Sequence, residues 1–140
     1  MHKVLLPVDG SEHSDQAARY IVEFIKEHGP IETHVANIEP EPIAWQTHGM
    51  EEEAIDAHLK AFAHQSMKSA QEILKAAGAP YHTHFRRGDV AQTLVILADK
   101  LGCDTIVMGT RGLGAVSGLA LGSVTRKLLH LSRVPVICVK

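Results

Sequence analysis

Cysteine is scarce in this 140-residue chain, and the two present, Cys103 and Cys138, form neither a CxxC pair nor a disulfide framework. Both are expected to be reduced structural thiols, as in a cytosol. Neither charge dominates: 14 basic residues stand against 16 acidic ones, for a net charge of −2. That balance argues against a nucleic-acid binder, which needs clustered lysine and arginine to neutralise phosphates. It argues equally against a polybasic membrane anchor. No apolar stretch approaches the roughly 20 residues of a membrane helix. Residues 1–10 hold too short an apolar part for a signal peptide, and Asp9 stops it. The expectation is a cytoplasmic domain with no nucleic-acid partner and no membrane insertion.

What the chain does have is regular alternation of two hydrophobic periods. Lys3 to Val8 is a short, nearly continuous apolar run, as suits a strand covered on both faces. A helix follows, with Ser11 or Ser14 as N-cap and Ala17, Ala18, Ile21, Val22 and Ile25 on one face; Gly29-Pro30 ends it. Thr33 to Ile38 reads as a second strand, and the prolines of Glu39-Pro40-Glu41-Pro42 predict a loop to about Gly49. Glu51 to Glu53 suit the positive end of a helix dipole. That helix would bury Ile55, Leu59, Phe62, Ala70, Ile73, Leu74 and Ala77 and close at Gly78. Tyr81 to Phe85 is a third strand. Gly88-Asp89 opens a helix with Val90, Leu94, Val95, Ala98 and Leu101 inward, closed by Gly102. Thr105 to Met108 is strand four, Val124, Leu128, Leu129 and Leu131 lie on a last helix, and Val134 to Val139 is strand five. The βαβαβαβαβ order predicts one α/β domain over residues 1–140, an open parallel five-stranded sheet with helices on both faces. No repeat or composition shift marks a second domain.

Ligands of open α/β sheets sit beyond the carboxyl ends of the strands, where strand order reverses. Two segments of unusual composition occupy such ends. One is Pro7-Val8-Asp9-Gly10-Ser11. The other runs from Met108 to Thr125 and holds five glycines in the fourteen residues 109–122. Glycine lets backbone approach a ligand closely. The helix start at Ser123, Val124 and Thr125 offers amides to an anion, with hydroxyls from Ser123 and Thr125 and charge from Arg111 and Arg126. The physical reading is a phosphate cradle, against the plainer one of a glycine-rich surface loop. It is not a Walker A loop, which needs a Gly-Lys-Ser/Thr string, nor a Rossmann fingerprint, where Ser117 would have to be glycine or alanine.

The string Gly109-x2-Gly112-x9-Gly122-Ser123 resembles the nucleotide-binding signature of the universal stress protein family. The likeness runs the length of the chain. Lys3 to Ser11 is similar to the family's opening strand, Gly88-Asp89 to the pair that starts its third helix, and Val134 to Val139 to its closing strand. The resemblance implies a Rossmann-like fold and the ATP-binding branch, with ATP, AMP or ADP as ligand and Mg2+ or Mn2+ alongside. It places phosphates at Gly109, Gly112, Gly122, Ser123, Val124 and Thr125, with Met108, Thr110 and Arg111 lining the approach. Pro7, Asp9 and Ile38 would meet the adenosine end, and Asn37 stands where the family often has histidine. Leu113 to Leu121 carries no lysine or arginine. The resemblance further implies a homodimer through Val134 to Val139 and a regulatory protein partner of unstated identity.

The remaining candidates read more plainly. Asp9 has a turn reading beside its binding one, since Asp-Gly after a strand is common turn chemistry. Ser11 is a helix cap rather than a nucleophile, because nothing in the sequence places a base beside it. His82 and His84 share a strand face, with His2 and His34 as neighbours to consider, yet two imidazoles with no paired acid or cysteine make a weak ligand set and no metal site is expected. Trp45 covers the site mouth or merely packs; the sequence does not rank the two. Function is expected to be nucleotide-dependent signalling in a stress response, by binding that alters a surface seen by partners. The alternative is a slow ATPase or autophosphorylating enzyme, against which stands the lack of a Walker lysine and of a positioned base.

Overall fold

Val4, Leu5 and Leu6 are fully buried because their strand is covered on both faces and paired on both edges. The structure is a computed structural model and describes residues 1–112 and 121–140. The elements are β1 (Lys3–Pro7), α1 (Glu12–His28), β2 (Glu32–Glu39), α2 (Glu52–Ala76), β3 (Tyr81–Arg87), α3 (Val90–Leu101), β4 (Thr105–Gly109), α4 (Ser123–Leu131) and β5 (Val136–Val139). They form one five-stranded sheet in the order β3-β2-β1-β4-β5, with every pairing parallel. The chain winds outward from β1 to β3, then crosses back to β4 and β5. Strand order therefore reverses between β1 and β4, and a crevice opens at their carboxyl ends.

Alternate residues of each strand feed two cores. Val4, Leu6, Val35 and Val107 pack with Ala17, Ile21, Ala70 and Leu74 of α1 and α2. Leu5, Ala36 and Ile106 pack with Leu94, Leu97, Ala98 and Leu128 of α3 and α4. Helix starts are chemically set. Ser11 caps α1, its hydroxyl accepting from Ser14 N–H at 3.3 Å. Asp89 caps α3 through Gln92 N–H at 3.0 Å and pairs with Lys127 of α4 at 2.8 Å. Among the described residues, no helix is long and apolar enough to cross a membrane.

Some boundaries and faces differ from those read in the sequence. β2 continues through Glu39, and a short 3-10 turn, Ala44–Gln46, sits inside the expected loop. β5 begins at Val136 rather than Val134: Pro135 has no N–H for the ladder, and Val134 is engaged with the Ser132 hydroxyl in the preceding turn. The buried stripe of α2 is Ile55, Ala63, Ser66, Met67, Ala70 and Leu74. Small residues let this helix close on its neighbours, and Phe62 and Ala77, expected inside, are exposed. In α3, Ala91 and Leu97 are buried while Val90, Val95 and Leu101 only flank the core. Leu129 and Leu131 of α4 face outward.

Candidate functional site

The crevice is built from the loop after β1. Val8 N–H donates to Ala36 O at 2.8 Å, and the Asn37 amide donates back to Val8 O at 2.8 Å, so the chain stays extended past the end of the sheet. Gly10 then turns it into α1 with φ +87°, a value that favours glycine. Asp9 organises the turn. Its N–H donates to the Ser14 hydroxyl at 3.1 Å, while its Oδ1 accepts from Ser11 N–H at 3.0 Å and from the Ser14 hydroxyl at 2.8 Å.

The signature glycines meet this turn directly. A β-carbon on Gly109 would lie 2.6 Å from the β-carbon of His13 and 2.7 Å from its backbone. One on Gly112 would overlap Asp9 Oδ2. The first turn of α1 is therefore seated on the end of β4. On the other side, Gly122 N–H donates to Thr110 O at 2.7 Å, Thr110 N–H to Val139 O at 3.0 Å, and the Thr125 hydroxyl to Gly109 O at 3.2 Å. These bonds fasten the head of α4 to β4 and β5. Among the described residues, no side chain caps α4, whose N-cap is Gly122, so its first amides are left for a ligand.

A cavity of about 400 Å³ lies over this framework, within the size range of small-molecule sites. Pro7, Asp9, Ile38, Met108, Gly109, Arg111, Gly112, Gly122, Ser123, Val124 and Thr125 all line it. Thr110 does not appear in its wall; it is buried, and its carbonyl holds Gly122. The part of the glycine-rich stretch from 113 to 120 lies outside the described residues. Sequence reasoning did not place Asn37, Glu39, Pro40, Phe62, Val90 or Leu94 here, although all six line the cavity. Phe62 reaches the cavity from α2, far along the chain, and carries no signal for it in the sequence.

Chemically the cavity has two characters. Ile38, Val90, Leu94, Met108 and Phe62 give it apolar walls that suit a flat ring, while Arg111, Arg126 and the head of α4 suit an anion. Burial raises the Glu39 carboxyl above its usual range, and the charge of Asp9 adds to this while the Asn37 amide opposes it. The Ser14–Asp9 pair is built as a turn, since the same carboxylate oxygen also holds Ser11 N–H.

The histidines gather elsewhere. His34 on β2 lies opposite His82 on β3, their rings stacked at 5.0 Å, and His34 Nδ1 is 2.8 Å from His84 Nε2. An acid does join them, because the Glu32 carboxylate is 2.8 Å from His34 Nε2. The His2 imidazole instead faces Asp104 at 3.5 Å, although its backbone carbonyl accepts from Glu32 N–H at 2.9 Å. Among the described residues, no group of three or more histidine, cysteine or acidic side chains is arranged to hold a metal ion. Cys103 and Cys138 are free thiols, and burial pushes the Cys103 thiol up to about 11.

The profile of the universal stress protein family matches residues 1–140. A universal stress protein of Thermus aquaticus, encoded in the QAH/OAS sulfhydrylase 3' region, is 32% identical over 138 residues, covering 98% of this chain and 97% of its own. The solved structure of hypothetical protein MJ0577 superposes with a TM-score of 0.83 at 26% identity, over 99% of this chain and 94% of that one. Two more distant structures share the fold. A universal stress protein in complex with cAMP has a TM-score of 0.72 at 23% identity, over 99% of this chain and 97% of that one. One from Archaeoglobus fulgidus in complex with dAMP has a TM-score of 0.70 at 22% identity, over 100% and 98%.

Proposed function

Because the chain belongs to the universal stress protein family, we propose that its cavity binds an adenine nucleotide, ATP foremost. In this reading the adenosine lies against Pro7, Asp9 and Ile38, and the phosphates meet Gly109, Gly112 and the head of α4 at Gly122, Ser123, Val124 and Thr125. Met108 and Arg111 flank the path and Arg126 adds charge, with Thr110 supporting from behind. The single observation that carries the reading is the start of α4, which no side chain caps among the described residues and which opens into a cavity that also holds two arginines and apolar walls. The nucleotides named for two structural relatives, cAMP and dAMP, are of the same class. An accompanying Mg2+ or Mn2+ would ride on the phosphates, since among the described residues no three ligands converge on a metal.

The site is a binding site rather than an efficient catalytic one. Ser14, the hydroxyl nearest an acid in the cavity wall, is committed to the turn at Asp9. Binding would alter a surface that a regulatory protein reads in the cytoplasm during stress, in a homodimer joined through Val134 to Val139. The test is to purify the protein without added nucleotide, release any ligand with acid and identify it by mass spectrometry. Stoichiometric ATP, reduced in the exposed-side variants Ser123→Ala and Arg126→Gln, is the expected result. ADP or AMP would favour the slow ATPase. No ligand, together with no binding when ATP is titrated, would overturn the proposal.

A further inference from the structure

Four large apolar side chains stand in solvent within one region: Ile43 is 59% exposed, Trp45 74%, Met50 43% and Phe62 51%. Met50 and Phe62 share one cavity wall with Gln46 and Thr47 of the segment that carries Ile43 and Trp45, and exposed apolar groups gathered in this way mark interaction surfaces. The backbone that carries the first three is held by hydrogen bonds. Gln46 N–H donates to Ile43 O at 2.8 Å, Ile43 N–H to the Gln46 side chain at 3.1 Å, and Met50 N–H to Thr47 O at 2.9 Å. Arg87 of β3 clamps both flanks, pairing with Glu41 before the turn and with Glu52 at the head of α2. The chain thus holds this segment against α2 with its apolar side chains outward. A second cavity of about 420 Å³ opens there, with Pro42, Met50, Ile55, Leu59 and Phe62 in its wall, large enough to take an apolar side chain.

The rim decides what fits. Residues 39–60 carry Glu39, Glu41, Glu51, Glu52, Glu53 and Asp56 against Lys60 alone. Lys60 is paired with Asp56 at 3.0 Å, and the inserted Arg87 is taken by Glu41 and Glu52. The field around the patch is therefore negative. An anionic bilayer is repelled by it, and a second copy presenting the same face would bring the same carboxylates together. We propose that this surface docks a cationic amphipathic helix of another protein. Its apolar face would lie on Trp45, Met50 and Phe62, and its lysines or arginines over Glu51 and Glu53. The proposal does not depend on nucleotide binding.

Trp45 is the only tryptophan of the chain, so its fluorescence reads this surface alone. The probe is a synthetic peptide of leucine and lysine at helical spacing, compared with the same peptide carrying glutamate for lysine. The lysine peptide should shift Trp45 emission to the blue in a saturable way that weakens with salt, and the glutamate peptide should not. By anisotropy of the labelled lysine peptide, Met50→Ser and the charge reversal Glu53→Lys should each weaken binding by about tenfold. Both residues are exposed, so circular dichroism should be unchanged. Equal binding of the glutamate peptide, or affinity indifferent to both variants, would overturn the proposal. So would a blue shift that grows with protein concentration alone, because a second copy would then be the occupant.

Discussion

A methyl group on residue 112 would be forced onto the Asp9 carboxylate, and one on residue 109 onto the backbone of His13. These glycines would therefore be required by packing even in the absence of any ligand. Gly122 is different: among the described residues its nearest neighbour is the Arg111 Cα, at 3.3 Å. Gly109→Ala should accordingly destabilise the fold by about 1–3 kcal/mol, the usual range for overpacking, and more than Gly122→Ala. Because the obstacle at 112 among the described residues is the Asp9 side chain, Asp9→Ala and Gly112→Ala should be coupled. In urea unfolding, the double variant should lose less than the two singles together, by about 0.5–3 kcal/mol; strict additivity would show that the contact carries no strain. The sequence offers these glycines only as the phosphate cradle proposed above. Their packing role is not legible there, since that depends on how closely α1 approaches the end of β4.

Among the elements, the β2–β3 pair shows most clearly what register adds to sequence. Spacing alone puts His82 and His84 on one face. Only the pairing of His34 with His82 brings the third imidazole and Glu32 to them. His84 is held below its ordinary value of 6.5, first by burial and then by the charges of His34, Arg86 and His82. The unfolded chain therefore takes up a proton at His84 more readily than the folded one. Stability is lost as pH falls through that ordinary value, and the loss is complete once pH is below the folded value. Replacing the imidazole by an amide, His84→Gln, should shrink the fall in Tm between about pH 7.5 and 5.5 relative to the unaltered protein. An unchanged fall would place the sensitivity elsewhere. Helix α2 gives the opposite lesson. Ile55, Ala70 and Leu74 are buried as expected, but Phe62 belongs to cavity walls, and the rest of the stripe is Ala63, Ser66 and Met67.

For the molecule as a whole, the alternation of periods gave the parallel sheet and its two covering layers, and the crossover between β1 and β4 put the crevice where the glycine-rich segment begins. The parts not legible were those contributed by distant segments, such as Phe62 and Leu94. Since the crevice joins β1, β4, α1 and α4, a ligand filling it binds only the assembled fold. ATP at about 100 times its Kd should therefore stabilise by about 2.7 kcal/mol, read as a rise in Tm. No rise at millimolar ATP would count against a nucleotide site. The central place of β1 has a consequence for biosynthesis. As the chain leaves the ribosome, β2 can cover one side of Val4, Leu5 and Leu6 early, but β4 is translated only after α3. Through that interval the newborn half-sheet carries an open hydrogen-bonding row along its most apolar strand, an invitation to mispairing that translation of residues 105–109 withdraws.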